Sequence, residues 1–551
     1  MTKKNNKSLL VFAVTVYSII ITFWMLSEGP LNNHECLVSV TAREMLANDN
    51  WVIPTFNGEV RLQKTPLSYW LVASVAKITG SVNEFSARLP SASLAILSAA
   101  AILYFTAQWL EFLIAILSAV VWISTLAFIG YSHNGRPEMV LCTFVAISML
   151  SFYSAMKTPS RRRQISYMLI FWLSFSLAML AKGPVPLVLI APPIFFYFAV
   201  FKQWNKLKFT LPIIGTILFL LIVLPWPIMV AAKVPNSWPF WKREFVDRFM
   251  GDYASGRKPF WYYLPIMLLF AAPFSAFVPH AIIAPFYHVW ERKRPVMWYL
   301  WLWFVLQILV MSISGGKRQH YILPAMPAFS ILAAICLHDM IFEQKAFKPK
   351  QVRNFFICHI IVIVAAAVGL LYWAFTKEKI FLLPSIHIAM MIFIILGLVI
   401  FLAQQNHKIV ATVLLFAGYC AIVMVAFIYF IIPLDYNSSS RVFSLKIGKI
   451  VPPGENLIAY NSVSARTIHY TGRIIPEIAD FAELYKRYEN GQWIIATGNS
   501  YKNLIKDGRF NIVFYKQVAE RNGSNNVEGA LFHKGESIKA QETSETPFPA
   551  Q

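Results

Sequence analysis

His34 and Glu35 stand directly after the first apolar segment of the chain, in LNNHECLVSV. At a membrane boundary such a pair suits general-base chemistry as well as the plainer role of a polar cap. Lys64, in RLQKTPLSYW, is pinned above a helix start by Thr65 and Pro66 and could hold a phosphate as a point charge. A lysine lying among lipid headgroups has the same local sequence. HNGRPEMVLCTF brings His133, Arg136 and Glu138 into one short connection, where Glu138 either pairs with Arg136 or aims into a cavity between helices. WPFWKREFVDRFMGDYASGRKPFWYYLP carries Lys242, Arg243, Glu244, Asp247 and Arg248 on a predicted helix, with Glu244 and Arg248 four apart and able to pair. SGGKRQHYILPAMPA adds Lys317, Arg318, His320 and Tyr321 just before a helix, and Gly315 and Gly316 permit close backbone approach.

The elements that position these groups are membrane helices. Of 551 residues 57% are hydrophobic and 14% charged, and the mean hydropathy is +0.55. Apolar runs long enough to cross a bilayer fall near 8–26, 91–110, 112–131, 139–157, 166–181, 185–201, 210–230, 261–284, 296–313, 322–342, 354–375, 385–405 and 409–432. That predicts an all-α polytopic protein of about thirteen spans over 1–432, helical because a backbone in lipid must satisfy its own hydrogen bonds. The outer loop 27–90 contains VTAREMLAN, expected to lie on the membrane surface as an amphipathic helix. A turn, a short hairpin-like segment and a helix restarted at Pro66 follow. Beyond 432 the texture changes to short strands such as NLIAY and QWIIATG beside the helical ADFAELYKRYENG, with VPPGEN as a turn. This predicts a small α/β domain over 433–535, and the apolar-poor tail 536–551 is expected to be disordered.

Lysine and arginine clusters recur at alternate connections: Lys3, Lys4 and Lys7; 161–163; Lys202, Lys206 and Lys208; 292–294; Lys345, Lys348, Lys350 and Arg353. By the positive-inside bias these face the cytoplasm, which puts the His34 loop and the C-terminal domain on the outer, periplasmic side of a bacterial inner membrane. No cleavable signal is expected, since no small-residue cleavage site follows the first span. Net charge is +22 with histidine neutral, and two outer loops are also basic: Arg43, Arg61, Lys64 and Arg88, then Lys242, Arg243, Arg248, Arg257 and Lys258. An anionic ligand on the outer side accounts for that, beside contact with lipid phosphates. Charge spread over membrane loops without a binding motif argues against nucleic acid. Cys36, Cys142, Cys336, Cys358 and Cys420 are scattered, with neither a disulfide framework nor a zinc spacing.

In order along the chain, REMLANDNWVIPTFNGEVRLQKTPLSYWL, ARLPSA, GRPEM, AKGPV, LPW, FWYYLP and KRQHYILPAMPA resemble the GT-C glycosyltransferases of the protein mannosyltransferase-like superfamily, nearest to the bacterial lipid A aminoarabinose transferases. The resemblance implies a GT-C fold and transfer of a sugar from a polyprenyl-phosphate donor to an acceptor such as lipid A phosphate. Lys64, Arg248 and Tyr321 match the family's phosphate-binding residues, with Arg61 and Lys317 as further cations nearby. Glu138 matches an acid that is usually Asp. Relatives carry Asp-Glu after the first helix, and here His34 replaces that catalytic Asp before the matching Glu35. The expected catalytic group is therefore His34, Glu35 and Glu138. A phosphate acceptor, already ionised, needs no strong base, so His34 could orient or protonate it; a hydroxyl acceptor, as in protein O-glycosylation, would need His34 or Glu35 as base. A polyprenyl-phosphate-binding scaffold and a lipid-linked-sugar transporter are the readings of other classes. His34, Glu35 and Glu138 could also ligate a divalent ion, although lysines and arginines can do the same electrostatic work.

Overall fold

The computed structural model describes residues 3–247, 250, 258–291, 293–376, 379–431, 440–519 and 526–535. Two compact units result. The first comprises Met1–Ser27, Asn50–Pro54 and Arg61–Phe430, the second Glu28–Asp49, Thr55–Val60 and Ile431–Gln551.

The first unit is helical. Among the described residues eight helices are long and apolar enough to cross a membrane: Glu84–Thr106, Pro137–Lys157, Arg161–Lys182, Pro212–Lys233, Arg294–Ile313, Gln319–Glu343, Leu382–Gln404 and Val410–Phe430. A ninth is formed if the pair Phe112–Ser124 and Leu126–Ser132 counts as one span. That pair bends by 60° where the Thr125 side chain leaves the first helix and accepts from Phe128 N to cap the second. The expected thirteen uniform spans are not all present as such. Segment 8–26 falls on the helix Lys3–Phe23, 185–201 on the shorter Val185–Val200 and 354–375 within the 28-residue helix Pro349–Thr376, while 261–284 is split into Phe260–Ala271 and Phe277–Phe286. Pro273 lies in that break and has no N–H to continue a helix.

Pro137–Lys157 is the central helix, 94% buried against 17% for Leu382–Gln404. Its core is aromatic: Phe152 and Tyr153 pack with Tyr299 in the cluster that also holds Trp122 and Trp303. Two of the buried polar tips find acceptors, Tyr299 Oη at 2.6 Å from Met149 O and Trp303 Nε1 at 3.1 Å from Pro324 O, which offsets the cost of burying them.

The second unit contains a hairpin, β1 (Thr55–Phe56) with β2 (Glu59–Val60), and a five-stranded sheet of β3 (Leu457–Tyr460), β4 (Glu477–Ile478), β5 (Trp493–Thr497), β6 (Ile512–Ala519) and β7 (Asn526–Phe532). Sheet order is β4-β3-β5-β7-β6, parallel from β4 to β5 and antiparallel at β7 and β6. Alternation along the strands feeds two cores. Leu457, Ala459, Trp493 and Ile495 join one; Ile458, Tyr460, Ile494 and Ala496 join the other. The helix Phe481–Glu489, capped by Asp480, sends Leu484 and Tyr488 into the second core.

VTAREMLAN belongs to the helix Asn33–Ala47, and its surroundings differ from the expected membrane surface. Val40 is fully buried in the core with Phe443, Ile447 and Ile468, while Arg43 donates to the carbonyls of His469 and Ile468 at 2.9 and 3.1 Å. Burial on more than one side makes it a protein-core helix. The hairpin has the turn its sequence specifies, with Asn57 at φ 57° and Gly58 at φ 81°. Glu44 clamps it, accepting from Thr55 Oγ1 at 2.6 Å and Asn57 N at 2.8 Å. The tail 536–551 lies outside the described residues.

Candidate active site

Within the first unit, Lys64 and Lys182 line one cavity with Glu244, Phe245, Tyr321 and Ser314, walled by Val185, Val188 and Met311. Two lysines against an apolar wall fit an amphiphile with an anionic head.

Local chain geometry brings the lysines there. Pro66 opens the helix Leu67–Thr79, so Lys64 sits on the extended approach to it. Lys182 ends the helix Arg161–Lys182, and Gly183, at φ 62°, turns the chain toward Val185–Val200. Gly183 N donates to Thr65 Oγ1 at 3.1 Å, which joins the two lysine-bearing segments. A Cβ at Gly183 would come within 2.5 Å of the Phe245 ring, so only glycine lets that wall close.

Beside the cavity Glu138 gathers cations from three elements. Its Oε1 lies 3.1 Å from Lys182 Nζ and 3.3 Å from His320 Nε2, and its Oε2 lies 3.2 Å from Arg136 Nε. Glu138, Lys182 and His320 are all buried. One carboxylate facing two permanent cations and a histidine leaves a surplus of positive charge next to the lining, where an anion is favoured. Lys182 is held over the Tyr321 ring at 5.3 Å. At the other wall Lys64 is ion-paired with the buried Glu244. Arg248, the partner expected for Glu244 from the sequence, lies outside the described residues.

The remaining expected residues divide. Tyr321 lines the cavity. Lys317 is buried and donates to the carbonyls of Lys258 and Ser314 at 3.1 and 2.6 Å, which makes it a brace for the segment between spans. Arg61 donates from Nε to Tyr69 Oη at 3.3 Å, and buried Arg88 donates to Leu26 O at 3.2 Å. His133 bridges the carbonyls of Ile129 and Trp24, a structural role. His34 and Glu35 belong to the second unit. His34 is exposed on the first turn of Asn33–Ala47, whereas Glu35 is buried in a capping box, its Oε2 accepting from Asn32 N at 2.9 Å and Nδ2 at 2.7 Å. Glu138 has both oxygens facing cations, which suits it to hold Lys182 in place.

Lys182 was not singled out by sequence reasoning, and Glu244 and His320 were named as chemistry-bearing groups without being assigned to the phosphate-binding or catalytic set. The available signal was AKGPV, an ionisable residue closing an apolar span at a Gly-Pro turn.

A family model for dolichyl-phosphate-mannose-protein mannosyltransferase matches residues 39–241. The undecaprenyl phosphate-alpha-4-amino-4-deoxy-L-arabinose arabinosyl transferase 2 of Proteus mirabilis is 26% identical over 396 residues, 69% of this chain and 68% of the relative. The corresponding Aeromonas hydrophila transferase is 29% identical over 360 residues, 63% of this chain and 64% of its own length. The chain is similar in sequence to these aminoarabinose transferases, and part of it matches the mannosyltransferase family model. It spans about two thirds of their length. Its fold is that of ArnT from Cupriavidus metallidurans bound to undecaprenyl phosphate, with a TM-score of 0.80 at 17% identity, covering 96% of this chain and 98% of the other.

Proposed function

We propose that the chain is an inner-membrane glycosyltransferase that moves a sugar from undecaprenyl phosphate onto a phosphate of lipid A. The observation that carries this is the cavity in which Lys64 and Lys182 face an apolar wall, with Glu138 holding Lys182 in place. In the transfer, an acceptor phosphate oxygen attacks the anomeric carbon, the bond from that carbon to the donor phosphate breaks, and the electron pair stays on the departing undecaprenyl phosphate. Lys64 and Lys182 stabilise that developing charge from fixed positions. Tyr321, under the Lys182 ammonium, limits its motion. The apolar wall takes the first isoprene units. The acceptor is already anionic and requires no base, consistent with a histidine at position 34 and with a Glu35 used as a cap.

In this reading the N-terminus is cytoplasmic and the α/β part is periplasmic, following the lysine and arginine clusters. The short and broken apolar helices complete about thirteen crossings together with the long ones.

The test is mass spectrometry of lipid A and other envelope glycoconjugates from cells with the wild-type chain, with none, and with His34→Ala. A sugar lost on deletion and retained in His34→Ala matches a transferase with a phosphate acceptor. Unchanged glycoconjugates on deletion would rule out the activity.

A further inference from the structure

A second cluster of chemistry-bearing side chains lies in the first unit at the opposite end of the span Gln319–Glu343 from His320. Glu111, His338 and Glu343 bring one nitrogen and two carboxylate oxygens within 4.8 Å of one another. They come from two elements: Glu111 precedes the helix Phe112–Ser124, and the other two flank the turn Asp339–Glu343. That turn is a π-helix, whose wider winding carries residue i+5 back over residue i, and so puts Glu343 over His338. In an α-helix the two would face apart. Buried Asp339 fixes the turn by accepting from the backbone N–H groups of Ala346 and Phe347 at 3.0 and 3.3 Å.

Lys293 bridges the carboxylates, 3.0 Å from Glu343 Oε1 and 3.6 Å from Glu111 Oε1, and Lys345 Nζ lies 3.3 Å from Glu343 Oε2. The imidazole faces the same two carboxylates, its Nε2 3.8 Å from Glu111 Oε2. His338 is 5% exposed, and its Nδ1 is buried with no hydrogen-bond partner, 3.3 Å from Glu343 Oε1. The two ammoniums engage the carboxylates and His338 Nδ1 still makes no hydrogen bond, whereas a metal ion would take all three side chains. Buried imidazole nitrogens without partners are costly, and this one points into the cluster.

We infer that Glu111, His338 and Glu343 form a binding site for a divalent transition-metal ion, with Lys293 as the cation that holds the carboxylates when the ion is absent. One imidazole with two carboxylates suits Zn²⁺ or Mn²⁺ and disfavours Mg²⁺, which prefers oxygen ligands alone and holds its water. The bound ion would tie the start of Phe112–Ser124 to the end of the Gln319–Glu343 span. The inference is independent of the transferase reading, since no residue is shared with the cavity.

The test is Zn²⁺ binding by chelator-treated full-length protein in detergent, measured as bound metal per chain and as the shift in thermal unfolding. Wild type should hold one equivalent that is lost in His338→Ala and in Glu111→Gln. The second variant changes a largely exposed side chain, so a folding failure of the first leaves the question answerable. Lys293→Ala, which removes the competing ammonium, should tighten binding tenfold or more. Equal binding by wild type and Glu111→Gln, or no retained metal in wild type and Lys293→Ala, would overturn the site.

Discussion

Lys182 Nζ and Glu138 Oε1 lie 3.1 Å apart, both side chains buried, with the ammonium on the wall of the cavity and the carboxylate behind it. Removing one member of such a pair leaves an uncompensated charge in a dry interior, typically costing about 3–5 kcal/mol. Glu138→Ala and Lys182→Ala should each lower the unfolding midpoint markedly. Glu138→Ala combined with Lys182→Ala should be less destabilised than the sum of the two singles, as a double-mutant cycle by thermal unfolding will show. Additive effects would mean the contact carries no coupling.

Lys64 is paired with Glu244, so an incoming phosphate must share or displace that carboxylate. Glu244→Gln keeps the shape and removes the competing charge. It should bind undecaprenyl phosphate several-fold more tightly than wild type in a fluorescence or calorimetric titration. Weaker binding would indicate that Glu244 orients Lys64 toward the ligand.

Gly183 combines a φ of 62° with a Phe245 ring 2.5 Å from where a Cβ would stand. Gly183→Ala should disturb the cavity wall more than the membrane fold. The expected result is a loss of donor affinity by tenfold or more with the protein still extracted as a monodisperse species; unchanged affinity would show that Phe245 moves freely.

His469, in the second unit, is buried, and desolvation followed by the charges of Arg43 and Arg441 pushes its pKa down from 6.5 to about 3. The unfolded chain therefore binds a proton that the folded chain refuses between those values, so stability falls as pH drops through that window and is constant above it. Thermal unfolding followed from about pH 8 to about pH 4 should show a decline that His469→Gln reduces. A decline of equal size in the variant would assign it to other groups.

Local signals were readable wherever a single short segment carries the geometry. Asn57-Gly58 makes the hairpin turn, Pro66 restarts a helix, and alternation marks β3 and β5. Side-chain partnership was not readable, because it depends on contacts between residues far apart in the chain. Lys182 has the appearance of a span-end lysine until Glu138, 44 residues earlier, is placed beside it. Glu244 is joined to Lys64, 180 residues away, a contact that no local pattern marks. Composition marked apolar segments correctly as helical, but their lengths depend on breaks such as Thr125 and Pro273 that a hydropathy average passes over. The helix Asn33–Ala47 misled for the related reason that an amphipathic pattern fits a membrane surface and a protein core equally well.

The central claim is that Lys64 and Lys182 hold the donor phosphate. The most direct measurement is the affinity of the full-length protein, reconstituted in lipid nanodiscs, for undecaprenyl phosphate, compared among wild type, Lys64→Ala and Lys182→Ala. A charge-assisted hydrogen bond contributes about 1.5–3 kcal/mol, so each variant should bind at least tenfold more weakly. Wild-type affinity in both, with the proteins folded, would contradict the account.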